Sequence, residues 1–212
     1  MFIMSNNAVS NSVIKRLPRY YRFLGELKTL GVSRISSREL SERMGLTASQ
    51  IRQDLNCFGG FGQQGYGYNV DILQAEIGHI LGLDKPKSTI LIGAGNLGKA
   101  VTLHINFEAM GFRLIGLFDS KESLVGQVIK NIPVRNISTL DEFCRENLPV
   151  AAILCIPKKS AMSVAKQLVD LGIKGVWNFS HYDLAFNYPG LKVENVHFGD
   201  SLMTLSYRLN NE

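Results

Sequence analysis

The sequence lacks the features of secreted and membrane-spanning proteins. Its three cysteines, Cys57, Cys144 and Cys155, are widely spaced and form no CxxC pair. This pattern excludes a disulfide framework and a thiolate zinc site, and it suits a reducing cytoplasm. The longest apolar run, Val150–Ile156, is far too short to span a bilayer. The first residues contain no basic segment followed by an apolar one, so we expect a cytoplasmic protein with no membrane association.

Motifs for metal binding and hydrolysis are also missing. The four histidines, whose spacing does not suit ligands of one metal ion, are His79, His104, His181 and His197. We therefore predict no metal site. The sequence has no Gly-x-Ser-x-Gly elbow and no spaced carboxylate pair, so a hydrolase is not predicted either. We expect a protein that binds ligands and is not an enzyme.

Acidic residues are scarce in the first quarter of the chain. The net charge is +5, and residues 1–60 hold nine basic and four acidic residues, whereas the rest of the chain is balanced. This asymmetry suggests an N-terminal domain that binds a polyanion, followed by a domain without net charge. A basic face that merely contacts solvent would give the same count.

Three helical patterns occupy the first 58 residues. The apolar positions of the first, at helical spacing, are Val13, Leu17, Tyr20, Leu24 and Leu27. Pro18 is expected in the first turn of the main part of this helix, where its missing N–H costs nothing. The second helix is predicted to start at Ser36, with Glu39 completing a capping box. The third is predicted to start at Thr47, with Gln50 in the equivalent role.

The junction between the second and third helices and the segment after the third predict a winged helix. Only residues 45–46 separate the two helices, which is typical of a helix-turn-helix. The following segment, residues 59–68, holds five glycines among aromatic residues and predicts a small β-ribbon. A further helix is predicted over 70–81. We therefore predict a winged-helix domain over residues 1–84.

From residue 89 onward, short β-rich runs alternate with helical stretches. The β-rich runs are Thr89–Ile92, Leu114–Phe118, Val150–Ile156, Gly175–Phe179 and Val193–Val196. The helical stretches fall near 96–110, 138–147, 160–172 and 199–210. This alternation predicts an α/β fold with a mostly parallel sheet covered on both faces. We predict a Rossmann-like parallel-sheet domain over residues 85–198.

A glycine-rich motif follows the first β-rich run. Its residues are Gly93, Ala94, Gly95, Asn96, Leu97 and Gly98. Gly93 allows a tight turn, Gly95 lets the backbone approach a pyrophosphate, and Gly98 lets helix and strand pack closely. The start of the following helix offers free N–H groups and a positive dipole end to phosphates. We predict dinucleotide binding, with a purely structural Rossmann-like loop as the alternative.

Residues at the ends of later strands are predicted to complete the coenzyme site. Asp119 ends the second strand, where an acid binds the adenosine ribose hydroxyls and disfavours a 2′-phosphate, so the predicted cofactor is NADH/NAD+. Pro157, Asn178 and Phe179 follow other strands at the same predicted edge. The glycines also match a Walker A loop, but Ala100 replaces the Ser or Thr that binds magnesium, so nucleotide hydrolysis is disfavoured.

The helix predicted over 47–58 carries side chains suited to DNA. Its outward positions include Ser49, Gln50, Arg52 and Gln53. Arg matches guanine, Gln matches adenine and Ser matches a phosphate, whereas a helix that only contacts solvent would favour Glu and Lys. We predict that this helix enters the major groove. Further residues predicted to contact phosphates, the domain interface or the adjacent minor groove are Arg16, Arg19, Tyr20, Arg22, Ser36 and Tyr66.

Together these segments resemble the Rex family of redox-sensing transcriptional repressors over nearly the whole chain. The matching N-terminal segments are Lys15–Arg22, Ser36–Leu40, Ile51–Leu55 and Gly65–Val70. The matching segments further on are Gly95–Gly98, Phe118–Asp119, Gly172–Gly175 and Asn178–Phe179. The resemblance implies a homodimer with a winged helix, an NAD(H)-binding Rossmann domain and a C-terminal domain-swapped helix within residues 199–212. It also implies repression of fermentation and respiration genes while NADH is low, and release of the operator when NADH binds.

Four positions depart from the family pattern. Gln53 stands where a Lys or Arg is usual, which removes one expected DNA contact. His104 stands where a Tyr is common, and His197 where an Asp is common. In the family, the positions of His104 and His197 interact near the dimer interface and help to distinguish the oxidised from the reduced coenzyme. His181 stands where a Pro is usual.

The resulting hypothesis is a cytoplasmic, dimeric repressor that senses the NADH/NAD+ ratio. Two-fold symmetry predicts an inverted-repeat operator in double-stranded DNA. One alternative is an NAD-dependent dehydrogenase with a helical appendage, for which His181 is the only placed proton donor. The other is a regulator that responds to CoA or an adenine nucleotide instead of to redox state.

Overall fold

The chain divides into two units between Asp84 and Lys85. The structure is a computed structural model that describes residues 9–59, 62–63 and 66–210. We call the two parts the N-terminal unit and the C-terminal unit. The predicted class, a winged helix followed by a Rossmann-like α/β domain, is confirmed.

The described residues of the N-terminal unit form four helices and a small antiparallel sheet. Its elements are α1 (Asn11–Thr29), β1 (Arg34–Ile35), α2 (Ser37–Met44), α3 (Ala48–Asn56), β2 (Gly62–Gln63), β3 (Gly67–Asn69) and α4 (Val70–Ile80). The strand order is β1-β3-β2. Gly45 ends α2 in the left-handed conformation, φ 62°, which lets the chain turn directly into α3. This is the arrangement of a winged helix.

The first helix buries the stripe that its sequence predicts. Val13, Leu17, Tyr20, Leu24 and Leu27 are all buried, and four of them, from Leu17 on, share a core with side chains of α2, α3 and α4. The expectation for Pro18 is wrong. Helix α1 begins at Asn11, well before Pro18, so Pro18 lies inside the helix. A proline there removes one backbone hydrogen bond, because its nitrogen carries no hydrogen.

The two predicted capping boxes have different outcomes. In α2 the box is complete: Ser36 Oγ accepts from the Glu39 N–H, and Glu39 accepts from the Ser36 N–H. In α3 the Thr47 side chain accepts from the Gln50 N–H, but the Gln50 side chain donates to Asp54. Only half of the second box therefore forms.

The C-terminal unit is built on a seven-stranded sheet. In chain order its helices and strands are β4 (Lys87–Ile92), α5 (Asn96–His104), β5 (Phe112–Asp119), β6 (Val128–Ile129), β7 (Ile132–Asn136), α6 (Leu140–Asn147), β8 (Ala151–Leu154), α7 (Lys158–Asp170), β9 (Gly175–Asn178), α8 (Leu184–Asn187), β10 (Lys192–Asn195) and α9 (Phe198–Leu209). The strand order is β10-β9-β8-β4-β5-β7-β6, and only β6 pairs antiparallel. The sequence missed the hairpin of β6 and β7 because its strands are short and carry no apolar run.

The central strands end together at one edge of the sheet. Ile92 of β4 pairs with Phe118 of β5 on one side and with Leu154 of β8 on the other. After β4 the chain moves outward through β5 and β7, and it returns to the other side of β4 with β8. The crevice beside such a reversal of strand order is where open α/β sheets bind ligands.

The last helix, α9, differs from the other α-helices because none of its residues is buried. Its large apolar side chains are between 51% and 70% exposed: Phe198, Leu202, Met203, Leu205, Tyr207 and Leu209. None of the helices described combines the length and the apolar character that crossing a membrane requires.

Candidate DNA-binding surface and coenzyme site

The outer face of α3 presents the polar side chains that its sequence predicts. Ser49, Arg52 and Gln53 are exposed. Arg52 Nη1 donates to Ser37 Oγ of α2 at 3.1 Å. This bond holds the guanidinium near the start of α2, where it keeps further N–H donors for DNA. The DNA contacts of these three residues stay predictions.

A buried carboxylate links α3 to α1. Asp54 is 1% exposed, and both of its oxygens are bonded by Arg16, Nε to Oδ2 at 2.7 Å and Nη2 to Oδ1 at 2.8 Å. The Tyr20 hydroxyl donates to Oδ2 at 2.9 Å, and Gln50 Nε2 donates to Oδ1 at 2.8 Å. We call these four residues the Asp54 network. It fixes the rotation of α3 against α1.

The electrostatics of this network favour an ionised carboxylate. Burial alone raises the pKa of Asp54, but the hydrogen bonds from Arg16, Gln50 and Tyr20 outweigh burial and hold the pKa below its ordinary value. Burial and the bond to Asp54 raise the pKa of Tyr20, so its hydroxyl stays a donor. The sequence signal for Asp54 is its place three residues after the buried Ile51, within the buried stripe of α3.

One of the predicted DNA contacts needs correction because of this network. Tyr20 is 0% exposed, so its side chain cannot reach a phosphate. Arg16 is half-buried and bonded to Asp54, and its DNA contact stays a prediction. Arg19 donates through Nη2 to the Met44 carbonyl, and Arg22 is exposed.

Ser36 is also committed within the protein. Its hydroxyl donates to Glu39 Oε2 at 2.7 Å while it accepts from the Glu39 N–H. Its clear role is therefore the start of α2, and the structure gives no separate support for a DNA contact.

The wing presents an aromatic side chain to solvent. Tyr66 is 70% exposed, and its carbonyl accepts from Arg34 Nη1 at 3.1 Å. Gly67 has a φ of 69°, and a Cβ there would come within 2.7 Å of the Ile35 carbonyl oxygen, so only glycine fits this turn of the wing. This placement suits the predicted minor-groove contact of Tyr66.

The glycine loop at residues 93–98 has the shape that its motif predicts. Gly93 has a φ of 98°, and a Cβ there would overlap the Cys155 carbonyl at the end of β8. A Cβ at Gly98 would overlap the Gly93 carbonyl. At Gly95, in contrast, no heavy atom of the described residues other than Gly95 and its two chain neighbours lies within 4 Å of the Cβ position. The loop is therefore closely packed on its protein side and open at Gly95.

The open side of this loop offers donors suited to phosphates. Gly95 caps α5, and no described side chain bonds the first N–H groups of that helix. Asp119 lies beside the loop: Oδ2 accepts from the Ala94 N–H at 2.7 Å, and Oδ1 accepts from the Lys121 N–H at 2.8 Å. Each carboxylate oxygen keeps further lone-pair capacity for a ribose hydroxyl. Asn96, Leu97 and Gly98 form the first turn of α5.

The remaining predicted coenzyme residues have different surroundings. Pro157 is exposed at the start of α7. Phe179 is buried, and its ring packs against Trp177 and Phe198 at centroid distances of 4.7 and 5.9 Å. Its position at the edge of the sheet leaves only a small part of the ring for a ligand.

Asn178 is a further correction. It is 0% exposed, and its Nδ2 donates to the Tyr182 carbonyl at 2.9 Å and to Asn195 Oδ1 at 2.8 Å. Its Oδ1 accepts from the N–H and the hydroxyl of Ser180 at 3.0 and 2.6 Å. These bonds use its polar groups, so Asn178 shapes the loop after β9 and its side chain does not face a ligand.

Two histidines that depart from the family pattern contact each other. His181 Nδ1 and His197 Nδ1 lie 2.8 Å apart, and the second residue immediately precedes α9. One nitrogen must donate and the other accept. His104 lies at the far end of α5, where it lines a cavity of about 580 Å³ with Arg113 and Lys130.

The two cysteines of the C-terminal unit are held in their protonated form by burial. Burial raises the pKa of Cys144 to about 11 and that of Cys155 to about 12, so both thiols stay protonated. Within residues 9–59, 62–63 and 66–210, no three His, Cys, Asp or Glu side chains are grouped as metal ligands.

A winged helix whose third helix has a polar outer face with Arg52, followed by a Rossmann unit with an open glycine loop, defines the class of nucleotide-responsive DNA-binding regulators. Known family models match both the N-terminal unit and the C-terminal unit. A family model described as "Putative DNA-binding protein N-terminus" matches residues 8–56, and one described as "CoA binding domain" matches residues 84–182.

Full-length relatives identify the family. The redox-sensing transcriptional repressor Rex of Thermoanaerobacter sp. (strain X514) is 56% identical over 96% of this chain and 91% of its own length. The protein of the same name from Clostridium kluyveri is 52% identical over 96% of each chain. The chain belongs to the Rex family of redox-sensing transcriptional repressors, whose members are named as repressors and not as enzymes.

Solved structures agree with this assignment. The crystal structure of RSP in complex with β-NAD+ and operator DNA has a TM-score of 0.89 and is 54% identical, covering 97% of this chain and 94% of its own. The crystal structure of RSP in complex with β-NADH also has a TM-score of 0.89, with 51% identity, and covers 97% of this chain and 96% of its own.

Proposed function

We propose that this chain is a homodimeric repressor that binds an inverted-repeat operator and leaves it when NADH binds. The observation that carries the proposal is the presence, in one chain, of a helix α3 with an exposed polar face that includes Arg52 and of a glycine loop open at Gly95. The relative of known structure that is 54% identical was crystallised with NAD+ and operator DNA. We place the protein in the cytoplasm, where both ligands occur.

The residues of the C-terminal unit suit a dinucleotide. The N–H groups at the start of α5 would bind the pyrophosphate, and Asp119 would accept from the adenosine ribose hydroxyls. The bound coenzyme supplies a nicotinamide ring whose charge differs between its oxidised and reduced forms. Pro157 and Phe179 lie at the sheet edge where this ring would be placed. The chain's own contribution is to hold the coenzyme and to couple its redox state to α3.

The release of DNA requires that NADH favours one conformation of the dimer over another. A ligand shifts such an equilibrium only by its differential affinity, and a hundredfold preference corresponds to about 2.7 kcal/mol. Titrating operator DNA at fixed salt, with NADH, NAD+, CoA or ATP present, tests the proposal. We expect NADH alone to release the operator. Equal operator affinity with saturating NADH and NAD+ would contradict the redox switch, and release by CoA would favour the alternative regulator.

Arg52→Ala is expected to weaken operator binding about tenfold, because it removes a cationic donor from the exposed face of α3. The measurement is a titration of labelled operator at fixed salt. Arg113→Ala removes an exposed arginine from the C-terminal unit and serves as the matched control. Equal affinities of the two variants would argue against α3 as the DNA-contacting helix.

The homodimer is proposed from the exposed apolar face of α9. A helix with this much apolar surface and no buried residue gains stability when a second subunit covers it. An exchange of α9 between two chains, as the family resemblance implies, would cover it. Such a pair would also supply the two-fold symmetry that an inverted repeat requires.

Leu202→Glu is expected to raise the dissociation constant of the dimer about thirtyfold (~2 kcal/mol), because a charge replaces a leucine that the partner would bury. Sedimentation velocity over a dilution series measures this change. Thr204→Glu places the same charge on the other side of α9 and should leave the dimer intact. A wild-type chain that sediments as a monomer would contradict the proposed assembly.

A further inference from the structure

The side-chain amide of Gln50 is held in one orientation by the buried carboxylate of Asp54. Gln50 Nε2 donates to Asp54 Oδ1 at 2.8 Å across one turn of α3. An ionised carboxylate can only accept hydrogen bonds, so only the nitrogen end of the amide can face it. The reversed amide would place two acceptor oxygens against each other.

The Asp54 carboxylate stays ionised, so it stays an acceptor. Arg16 bonds both of its oxygens and supplies the opposite charge. The hydrogen bonds of the network outweigh the effect of burial and keep the pKa of Asp54 below its ordinary value. Asp54 is also almost completely removed from solvent, so water cannot replace Gln50 as its fourth donor.

The other end of the Gln50 amide lies where a recognition helix contacts bases. Gln50 is the third residue of α3 and is half-buried, with Ser49 exposed beside it. Residues at the N-terminal end of a recognition helix are those that contact base edges. Among the described residues, none donates a hydrogen bond to Gln50 Oε1. Gln50 Oε1 is therefore an acceptor without a donor among the described residues, and it stands beside the second N–H of the same amide.

We propose that Gln50, oriented by Asp54, determines one position of the operator by accepting a hydrogen bond from an exocyclic amino group. In the major groove this donor is adenine N6 or cytosine N4. Asp54 is the positioning residue, and Arg16, which bonds both of its oxygens, keeps it in place. The inference rests on the proposed function, because it requires that α3 enters the major groove.

The first test uses the full-length protein and a pool of random-sequence duplex DNA, with NAD+ present and the salt fixed. Wild type and Gln50→Leu each select their preferred duplexes. Gln50→Leu keeps the size of the side chain and leaves Asp54 bonded to Arg16 and Tyr20. We expect the variant to lose base preference at one position of each half-site and to keep the preference elsewhere.

Base analogues at that position identify the recognised group. Purine in place of adenine, or pyrimidin-2-one in place of cytosine, removes only the exocyclic amino group. Wild type should bind the altered duplex about fivefold more weakly for each half-site changed, which is the value of one hydrogen bond. Gln50→Leu should bind both duplexes equally. The base whose analogue weakens binding shows whether adenine or cytosine is the donor.

Asp54→Asn tests the role of the carboxylate directly. Arg16 donates to both oxygens of Asp54, so an asparagine places its nitrogen against one Arg16 N–H group in either orientation of its amide. Gln50 can then face either the oxygen or the nitrogen of the new amide, so its own amide is no longer held in one orientation. The base preference at this position should therefore weaken, while the preference elsewhere is kept. Tyr20→Phe is the matched control, because it removes one hydrogen bond from Asp54 without contacting Gln50. It should leave the base preference unchanged.

The outcomes separate this inference from the proposed function. If wild type selects no preferred sequence, the proposed function, sequence-specific binding of an operator, is contradicted. If wild type selects an inverted repeat and Gln50→Leu selects the same bases at every position, only the present inference fails. Weaker binding of Asp54→Asn to all sequences, with an unchanged base preference, would make Asp54 merely structural and would also overturn it. If Asp54→Asn does not fold, Gln50→Leu with the analogue duplexes decides the question.

Discussion

Gly95→Ala should lower the affinity for NADH roughly a hundredfold (~2.7 kcal/mol) and leave the stability of the protein unchanged. The backbone at Gly95 has a φ of −66°, which alanine adopts without strain, and the added methyl group would meet no atom of the described chain. The methyl group would instead occupy the space through which a pyrophosphate approaches the loop. Calorimetric titration with NADH and a thermal unfolding scan measure the two effects.

Gly98→Ala is the matched control for this prediction. Its methyl group would overlap the Gly93 carbonyl, so the loop must move and stability should fall together with NADH affinity. Wild-type NADH affinity in Gly95→Ala would place the coenzyme somewhere other than this loop. Lost stability in Gly95→Ala would contradict the open geometry at that residue.

Arg16→Met should destabilise the N-terminal unit by about 3 kcal/mol at neutral pH, because it leaves the buried Asp54 charge without its cation. Urea unfolding measures the loss, and hydrogen exchange of α1 and α3 assigns it to this unit. Arg22→Met removes an exposed arginine from the same helix and should change stability little. Equal destabilisation by both variants would show that the Asp54 network contributes nothing beyond surface charge.

The pH dependence of this effect has a definite sign. Since folding lowers the pKa of Asp54, its contribution to stability is present above the unfolded value of 3.8 and is lost as the pH falls through the folded value. In Arg16→Met, protonation of Asp54 removes the unpaired buried charge and so stabilises the folded variant. The difference in unfolding free energy between wild type and Arg16→Met should therefore shrink when the pH is lowered from 7 towards 3.

Local patterns predicted much of the fold. Three features depend only on residues that are close together in the sequence, and all three were predicted. They are the apolar spacing of α1, the capping box at Ser36 and the glycines of residues 93–98. The hairpin of β6 and β7 escaped prediction although its pairing is local, because its strands are short and carry no apolar run.

The site residues that sequence reasoning misplaced share one property. Tyr20 and Asn178 each carry a polar group that looks available for a ligand in the sequence. Asp54, the partner of Tyr20, and Asn195, one of the partners of Asn178, are distant along the chain. The other partners of Asn178, Ser180 and Tyr182, are nearby, but their bonds depend on how the loop after β9 folds. Asp54 was overlooked for the same reason, since an acid on a recognition helix has no favourable role until the arginine that neutralises it is placed.

If the exposed apolar side of α9 pairs two chains, as proposed, the assembly has a consequence for gene dosage. When only the paired form of a protein is active, its concentration at low expression rises with the square of the amount of chain synthesised. A twofold drop in synthesis would then reduce the active form about fourfold, by mass action. Repression by such a protein would be lost abruptly in cells that make slightly too little of it.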